Sequence, residues 1–356
     1  MRDRVYLDWN ATAPLRPEAR SAMIHALDQV GNPSSVHAEG RIARGLVERA
    51  RGSVAELVGC KPSEVVFTSG ATEATSVLRM LSQTHAVCVQ ETAHDCLWAH
   101  FDLTHAKSGA ATLAMGLANS ETGVVSLPET DGQGRWSYGD TLCDTLLLDV
   151  VQAVGRIPWS FAWSGATLAI LSAHKIGGPK GVGALIVREG TDIAALQLGG
   201  GQELGRRSGT ENVAGIAGFG AAATAALEEL NQGAWTRVEK LRNILEKTLA
   251  SDAKETIFVG YDLERLPNTS CFVTPGWKGE TQVMQMDLAG FAVSSGSACS
   301  SGKVKVPRVL RAMGLSDGQA ECALRVSFGP ETIEDDVLRF CEAWLRQERK
   351  HRDRAA

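Results

Sequence analysis

The chain has 356 residues, 44 % of them hydrophobic and 22 % charged, which is room for one large and one smaller domain and excludes wholesale disorder. Thirty-six basic residues against forty-one acidic ones leave a formal charge of −5, so composition gives no case for binding nucleic acid or an anionic membrane surface. The longest nearly polar-free run, 214–227, is mostly Ala and Gly and falls short of the roughly 18 apolar residues of a membrane span. The N-terminus carries no apolar leader segment, and a cytoplasmic protein is expected.

In chain order, the pattern predicts a strand over 64–68, a helix over 71–81, a strand over 85–90 and a helix over 95–105. Residues 145–150 form a near-continuous apolar run, the mark of a strand covered on both faces; 168–172 and 183–187 repeat it. Such alternation argues for an α/β domain around a mostly parallel sheet. An Ala-rich helix is predicted over 213–230 and a second over 235–250, with a domain boundary near 231. Beyond it, short strands (257–259, 269–273, 292–294, 324–328) mix with helices over 280–288 and 333–347, the composition of a smaller α+β domain. The expected division is 15–231 for the large domain, with 1–14 and 232–356 forming the small one.

Eight cysteines stand at 60, 88, 96, 143, 271, 299, 322 and 341, with no C-x-x-C pair and no Cys/His zinc spacing, so no metal is expected. Most read as small buried hydrophobes. Cys299 does not: Ser294-Ser-Gly-Ser-Ala-Cys-Ser-Ser-Gly302 surrounds it with tiny polar residues, which suits a mobile loop bearing a nucleophile more than the alternative, an incidental surface thiol.

Other residues carry chemical potential by position. Ser69-Gly-Ala-Thr-Glu73, where a strand turns into a helix, suits an anion held by backbone N–H groups, or is a helix cap without a ligand. Asp149 closes the 145–150 strand with Gln152 after it; strand C-termini of open α/β sheets are where ligands bind, although a carboxylate there also caps turns. Lys175 follows a buried strand and precedes a Gly/Pro turn, with Ser172 and His174 beside it; a desolvated lysine forms a Schiff base with an aldehyde. The stretch 199–210 is Gly-rich and ends in arginines and hydroxyls, fit for an anion, but it lacks the strand and helix that a dinucleotide fingerprint needs. Residues 296–303 miss the spacing and the hydroxyl of a phosphate loop. Arg325, mid-strand among apolar neighbours, calls for a carboxylate partner.

Together these segments resemble the cysteine desulfurases, the NifS/IscS-like branch of the class-V aminotransferase-like, fold-type I pyridoxal-phosphate enzymes. The likeness runs from Tyr6-Leu-Asp-Trp-Asn-Ala-Thr12 through Gly31-Asn-Pro-Ser-Ser35, Thr68-Ser-Gly-Ala-Thr-Glu73, His174-Lys175 and Arg207-Ser-Gly-Thr210 to Cys299 and Arg325. It implies that Lys175 joins covalently to pyridoxal 5'-phosphate, with Ala71, Thr72, Ser172 and His174 on the phosphate. Thr210 would reach the phosphate of a neighbouring subunit, implying a homodimer. Asp149 would meet the pyridine nitrogen, Gln152 the ring oxygen, and His94 would stack on the ring and move protons. Asn119 would hold the cofactor oxygen and, with Arg325, the substrate carboxylate. Cys299 would carry sulfur taken from L-cysteine as a persulfide and pass it to an acceptor protein, for iron–sulfur cluster assembly; a selenocysteine lyase or another β-lyase is the alternative on the same fold. Ser120 and Gln202 depart from the family's usual Asn and His, and with the sequence ending at Ala356 docking of a scaffold protein through the longer C-terminal extension of some members is not expected.

Overall fold

The computed structural model describes residues 4–104, 110–296 and 308–355. The chain divides into two compact units, one of Met1–Thr12, Ala118–Val125 and Gly233–Ala356, the other of Ala13–Leu117 and Ser126–Gln232. The segment Ala118–Val125, expected within the large domain, groups with the first unit. Its backbone is held there: Val125 N–H donates to Glu264 O at 2.9 Å and Leu266 N–H to Gly123 O at 2.7 Å.

The larger unit is built on a six-stranded sheet in the order Val65–Thr68, Gly183–Val187, Leu168–Ser172, Thr145–Asp149, Ala111–Gly116, Ala86–Val89. Gly183–Val187 runs antiparallel to both neighbours, and the other strands share one direction. Leu146, Leu147 and Leu148 are all buried, as a strand covered on both faces requires. On one face Val66, Val87, Leu147 and Ile170 pack with Val77, Leu78 and Leu97. Phe67, pointing the other way, meets Phe219 edge-on at 6.2 Å.

Phe219 belongs to the helix Val213–Asn231, the single helix among the described residues long and apolar enough to cross a membrane by composition. Its glycines explain that composition through packing. A Cβ on Gly220 would lie 2.5 Å from Ala50 Cα in the helix Ala38–Val58, and one on Gly218 would lie 2.6 Å from Met23 Cγ in the helix Pro17–Leu27. Small residues here let three helices approach closely and close a second layer over the sheet.

The smaller unit has an antiparallel sheet in the order Ile257–Phe258, Thr269–Val273, Ala323–Ser327, Ser294–Ser295, and a parallel pair of Val5–Tyr6 with Phe291–Ala292. Its helices are Ala234–Asp252, Gly279–Leu288 and Glu334–Ala355, with short turns at Arg308–Ala312 and Asp317–Ala320. Trp344 packs edge-on against Phe272 at 5.4 Å, and its indole N–H reaches Gln282 Oε1 at 3.0 Å. Each such buried side chain contributes about 1.5–3 kcal/mol.

Three expected elements differ. The helix over 95–105 is only Asp95–Trp98; the chain then turns back so that Asp102 and Val87 exchange backbone hydrogen bonds at 2.6 and 3.0 Å, while Trp98 and Phe101 stack at 5.1 Å. An exposed strand edge wins over helix continuation, and residue 105 lies outside the described residues. The helix over 71–81 is split into Ala71–Ala74 and Ser76–Leu81, with Thr75 Oγ1 donating to Thr72 O and Ser76 Oγ to Glu73 O; such back-bonding competes with a regular helix. The strand over 292–294 is two dipeptides serving different sheets.

Candidate active site

In the larger unit the C-terminal ends of neighbouring strands converge. A Cβ on Gly183 would lie 2.6 Å from both Gly70 Cα and Leu171 O, so only glycine lets the turn after Thr68 close against the strand that ends at Ser172. That turn is fastened from below: Ser69 N–H donates to Glu73 Oε2 at 2.7 Å, and Glu73 pairs with Arg207 at 2.9 Å. Arg207 thus ties the glycine-rich segment to the Ala71 turn. Thr72 and Thr210 are exposed, Ala71 is half-buried and Ser172 is buried. Thr68, Ser69, Arg207 and Thr210 line one cavity of about 150 Å³.

Asp149 ends its strand buried, 8 % exposed, with Oδ1 accepting from Val151 N–H at 2.9 Å. Burial pushes its carboxyl above the usual range; His94, the Val151 amide and Lys175 pull it back. The carboxylate, the imidazole and the amine therefore lie within electrostatic reach of one another. His94 caps the 95–98 turn, its Nδ1 accepting from Cys96 N–H at 3.1 Å. That bond assigns the proton of the neutral ring to Nε2. The Cys96 thiol also hydrogen-bonds to His94, but burial outweighs this and holds the thiol above its ordinary value.

Lys175 ends a single 3-10 turn, Ala173–Lys175, and the carbonyls around it are held one after another. Ala13 N–H donates to His174 O at 2.9 Å, Arg156 to Lys175 O at 3.2 Å, Arg16 Nε to Ile176 O at 2.7 Å, and Arg16 N–H to Gly177 O at 2.9 Å. Gly177 has φ +83, and a Cβ there would strike the Arg16 side chain at 2.5 Å. Glu229 locks the Arg16 guanidinium at both ends, 2.6 Å each. These bonds fix the backbone from which the Lys175 side chain departs. His174, pressed by burial and by the charges of Lys175, Lys180 and Arg156, falls to about 4; it is neutral at physiological pH and donates rather than carries charge.

Gln152, the last candidate of the larger unit, is 4 % exposed and accepts from Arg156 at 2.5 Å; the smaller unit holds Arg325 and Asn119. Arg325, 4 % exposed, donates through Nη2 to Asp8 Oδ1 at 2.6 Å and through Nη1 to Ser120 O at 3.0 Å, and Ser294 Oγ donates to the other Asp8 oxygen at 2.8 Å. The carboxylate partner that the sequence demanded of Arg325 is, within this unit, Asp8. Asn119 Oδ1 accepts from the N–H groups of Glu121 and Thr122, 2.9 Å each, and from Thr122 Oγ1 at 3.2 Å, which fixes the orientation of its side-chain amide. Cys299 lies outside the described residues. Sequence reasoning gave no role to Asp8, which stands in the 6–12 segment that carries the likeness, to Cys96 beside His94, to Arg16 or to Arg156; an arginine four residues after Gln152 in an apolar stretch hinted at the last.

Residues 5–98 and 143–340 match the model of the class-V aminotransferase family, and the chain belongs to that family. Within it, the chain is 36 % identical to a cysteine desulfurase of Cereibacter sphaeroides, over 96 % of this chain and 94 % of that protein. It is 33 % identical to the cysteine desulfurase IscS of Dictyoglomus turgidum, over 95 % and 92 % respectively. Among solved structures, a NifS-like protein from Rickettsia africae superposes with a TM-score of 0.83 at 28 % identity, covering 97 % of this chain and 99 % of that one. The fold-type I architecture expected from the sequence is the one found.

Proposed function

We propose that this chain is a pyridoxal-phosphate-dependent cysteine desulfurase that converts L-cysteine to L-alanine. The observation that carries the reading is the carboxylate of Asp149, buried at the end of its strand and within electrostatic reach of both Lys175 and His94, in a chain whose relatives are cysteine desulfurases along nearly their whole length. The donor set fits the cofactor. A carboxylate that burial alone would protonate is stabilised by a cation, and a protonated pyridine nitrogen is one. Ala71, Thr72, Ser172 and the neutral His174 offer donors to a phosphate; Gln152 and Asn119 offer amides to a ring oxygen.

When bound, the cofactor supplies an electron sink for the charge released at the substrate Cα. The amine of Lys175 takes the Cα proton. Asp149 would hold the cofactor's protonated ring nitrogen, and His94, whose Nδ1 accepts from Cys96 N–H so that its proton is on Nε2, would serve as a proton donor. Arg325 takes the substrate carboxylate. The thiolate of Cys299 would attack the substrate sulfur: the Cβ–S bond breaks with its electron pair going to carbon, an S–S bond forms, Cβ gains a proton and Cα regains the one removed, giving alanine and a Cys299 persulfide without any external oxidant. An acceptor protein then removes the outer sulfur, the use being iron–sulfur cluster assembly. A thiol that must stay reduced to act suits the cytoplasm. Thr210 is exposed on the same segment as Leu198 and Leu204, which are 88 % and 75 % exposed; this supports a homodimer in which Thr210 serves the neighbouring phosphate.

The test is spectroscopic and chemical. Incubated with pyridoxal phosphate, the protein is expected to gain a visible absorbance that borohydride abolishes, and Lys175→Ala to lose it. Cys299→Ala keeps the absorbance and loses cysteine turnover by about 10³-fold or more. A protein that stays colourless with excess cofactor overturns the reading, and full turnover in Cys299→Ala replaces it with a β-lyase.

A further inference from the structure

Arg156 is 2 % exposed and so must spend its donors on protein groups. One arm meets Gln152 Oε1 at 2.5 Å; another meets the backbone carbonyl of Lys175 at 3.2 Å. The turn that places it is helical in pitch, with Val154 N–H donating to Val150 O at 3.0 Å and Ile157 N–H to Ala153 O at 3.1 Å, so residues 152 and 156 share a face. A guanidinium has donors only. The Gln152 atom against it is therefore the carbonyl oxygen, and the amide nitrogen is turned away from Arg156. Gln152 itself is 4 % exposed, which leaves little room for the amide to flip.

We propose that Arg156 is a positioning residue for the cofactor: by gripping the Gln152 oxygen and the Lys175 carbonyl with one planar fork, it presents the Gln152 amide as a donor to the cofactor's ring oxygen and fixes the base of the Lys175 side chain. The inference rests on the function proposed above. Lysine, a point charge on a flexible stem, does not reproduce such a fork.

A donor at the ring oxygen favours its deprotonated form, so losing that donor raises the pH midpoint at which the bound cofactor's visible absorbance titrates. Arg156→Met is expected to raise the midpoint by about one pH unit, a tenfold change in proton affinity, and by as much as Gln152→Ala does. The double variant is expected to shift no further, because both changes act through one amide. Shifts that simply add, or a wild-type midpoint in a folded Arg156→Met that binds pyridoxal phosphate, overturn the proposal. Should Arg156→Met fail to fold, Arg156→Lys is expected to give a midpoint between those of the wild type and Gln152→Ala, and a wild-type midpoint there has the same force. A wild-type protein that does not bind pyridoxal phosphate sinks the functional reading instead, so the two failures are distinguishable.

Discussion

Asp149 and His174 are perturbed in ways that trade stability against function. Burial raises the folded-state value of Asp149, so in the cofactor-free protein its charged form costs stability once the pH rises above the range of an unfolded carboxyl. Asp149→Asn should therefore raise the melting temperature of the cofactor-free protein at pH 7 while lowering turnover by roughly 10²–10³-fold; a drop in both contradicts the account. His174 has the opposite linkage. Its folded value near 4 lies below the ordinary 6.5, so its contribution is complete above pH 6.5 and lost as the pH falls through 4. Thermal melts of the cofactor-free protein from pH 7 to pH 4 should decline less steeply for His174→Gln than for the wild type. Lys175, Asp149 and His174 were legible in the sequence because each ends an apolar strand or adjoins a Gly/Pro turn. Asp8 was not, because its partner Arg325 lies 317 residues away; for Arg156 the spacing of four from Gln152 is local, but its bond to the Lys175 carbonyl, 19 residues on, leaves no mark in the sequence.

Among the elements, the apolar strands were readable because a parallel strand buried on both faces has no polar positions. The strand Ala111–Gly116 escaped notice: Ala-Thr-Leu-Ala-Met-Gly has little β-branched character, and it is made a strand by its neighbours at 86–89 and 145–149. The helices Pro17–Leu27 and Ala38–Val58 went unread although they carry local signals, a proline in the first turn and Gly59 at φ +64 as the C-cap. The glycines of Val213–Asn231 read as mere composition until the packing showed their neighbours. Gly220→Val forces apart backbones that touch at Ala50 and is expected to cost about 1–3 kcal/mol. Urea unfolding should register this as a lower midpoint with an unchanged slope.

At the scale of the whole molecule, the proposed exchange of Thr210 between subunits makes a sharp prediction. Lys175→Ala homodimers lack the amine, and Thr210→Ala homodimers lack a phosphate donor in both sites. Mixed in equal amounts and allowed to exchange subunits, they should form heterodimers with one intact site and one doubly defective, so activity rises above that of either parent, toward about half the wild-type value for purified heterodimer and about a quarter for the randomly exchanged mixture. No rise on mixing, with exchange verified by mass, removes Thr210 from the neighbouring site.

The pairing of Val5–Tyr6 with Phe291–Ala292 sets an order on biosynthesis. A ribosome adds roughly 5–20 residues per second, so the first strand emerges on the order of tens of seconds before its partner exists. Until then the N-terminal tail with Val5–Tyr6 has an unmatched strand edge, while late in the interval Ala13–Leu117 and Ser126–Gln232 already have every sheet neighbour they need. Arg325, too, stays without Asp8 until this tail is recaptured, so the charged pocket of the smaller unit is among the last parts of the molecule to mature.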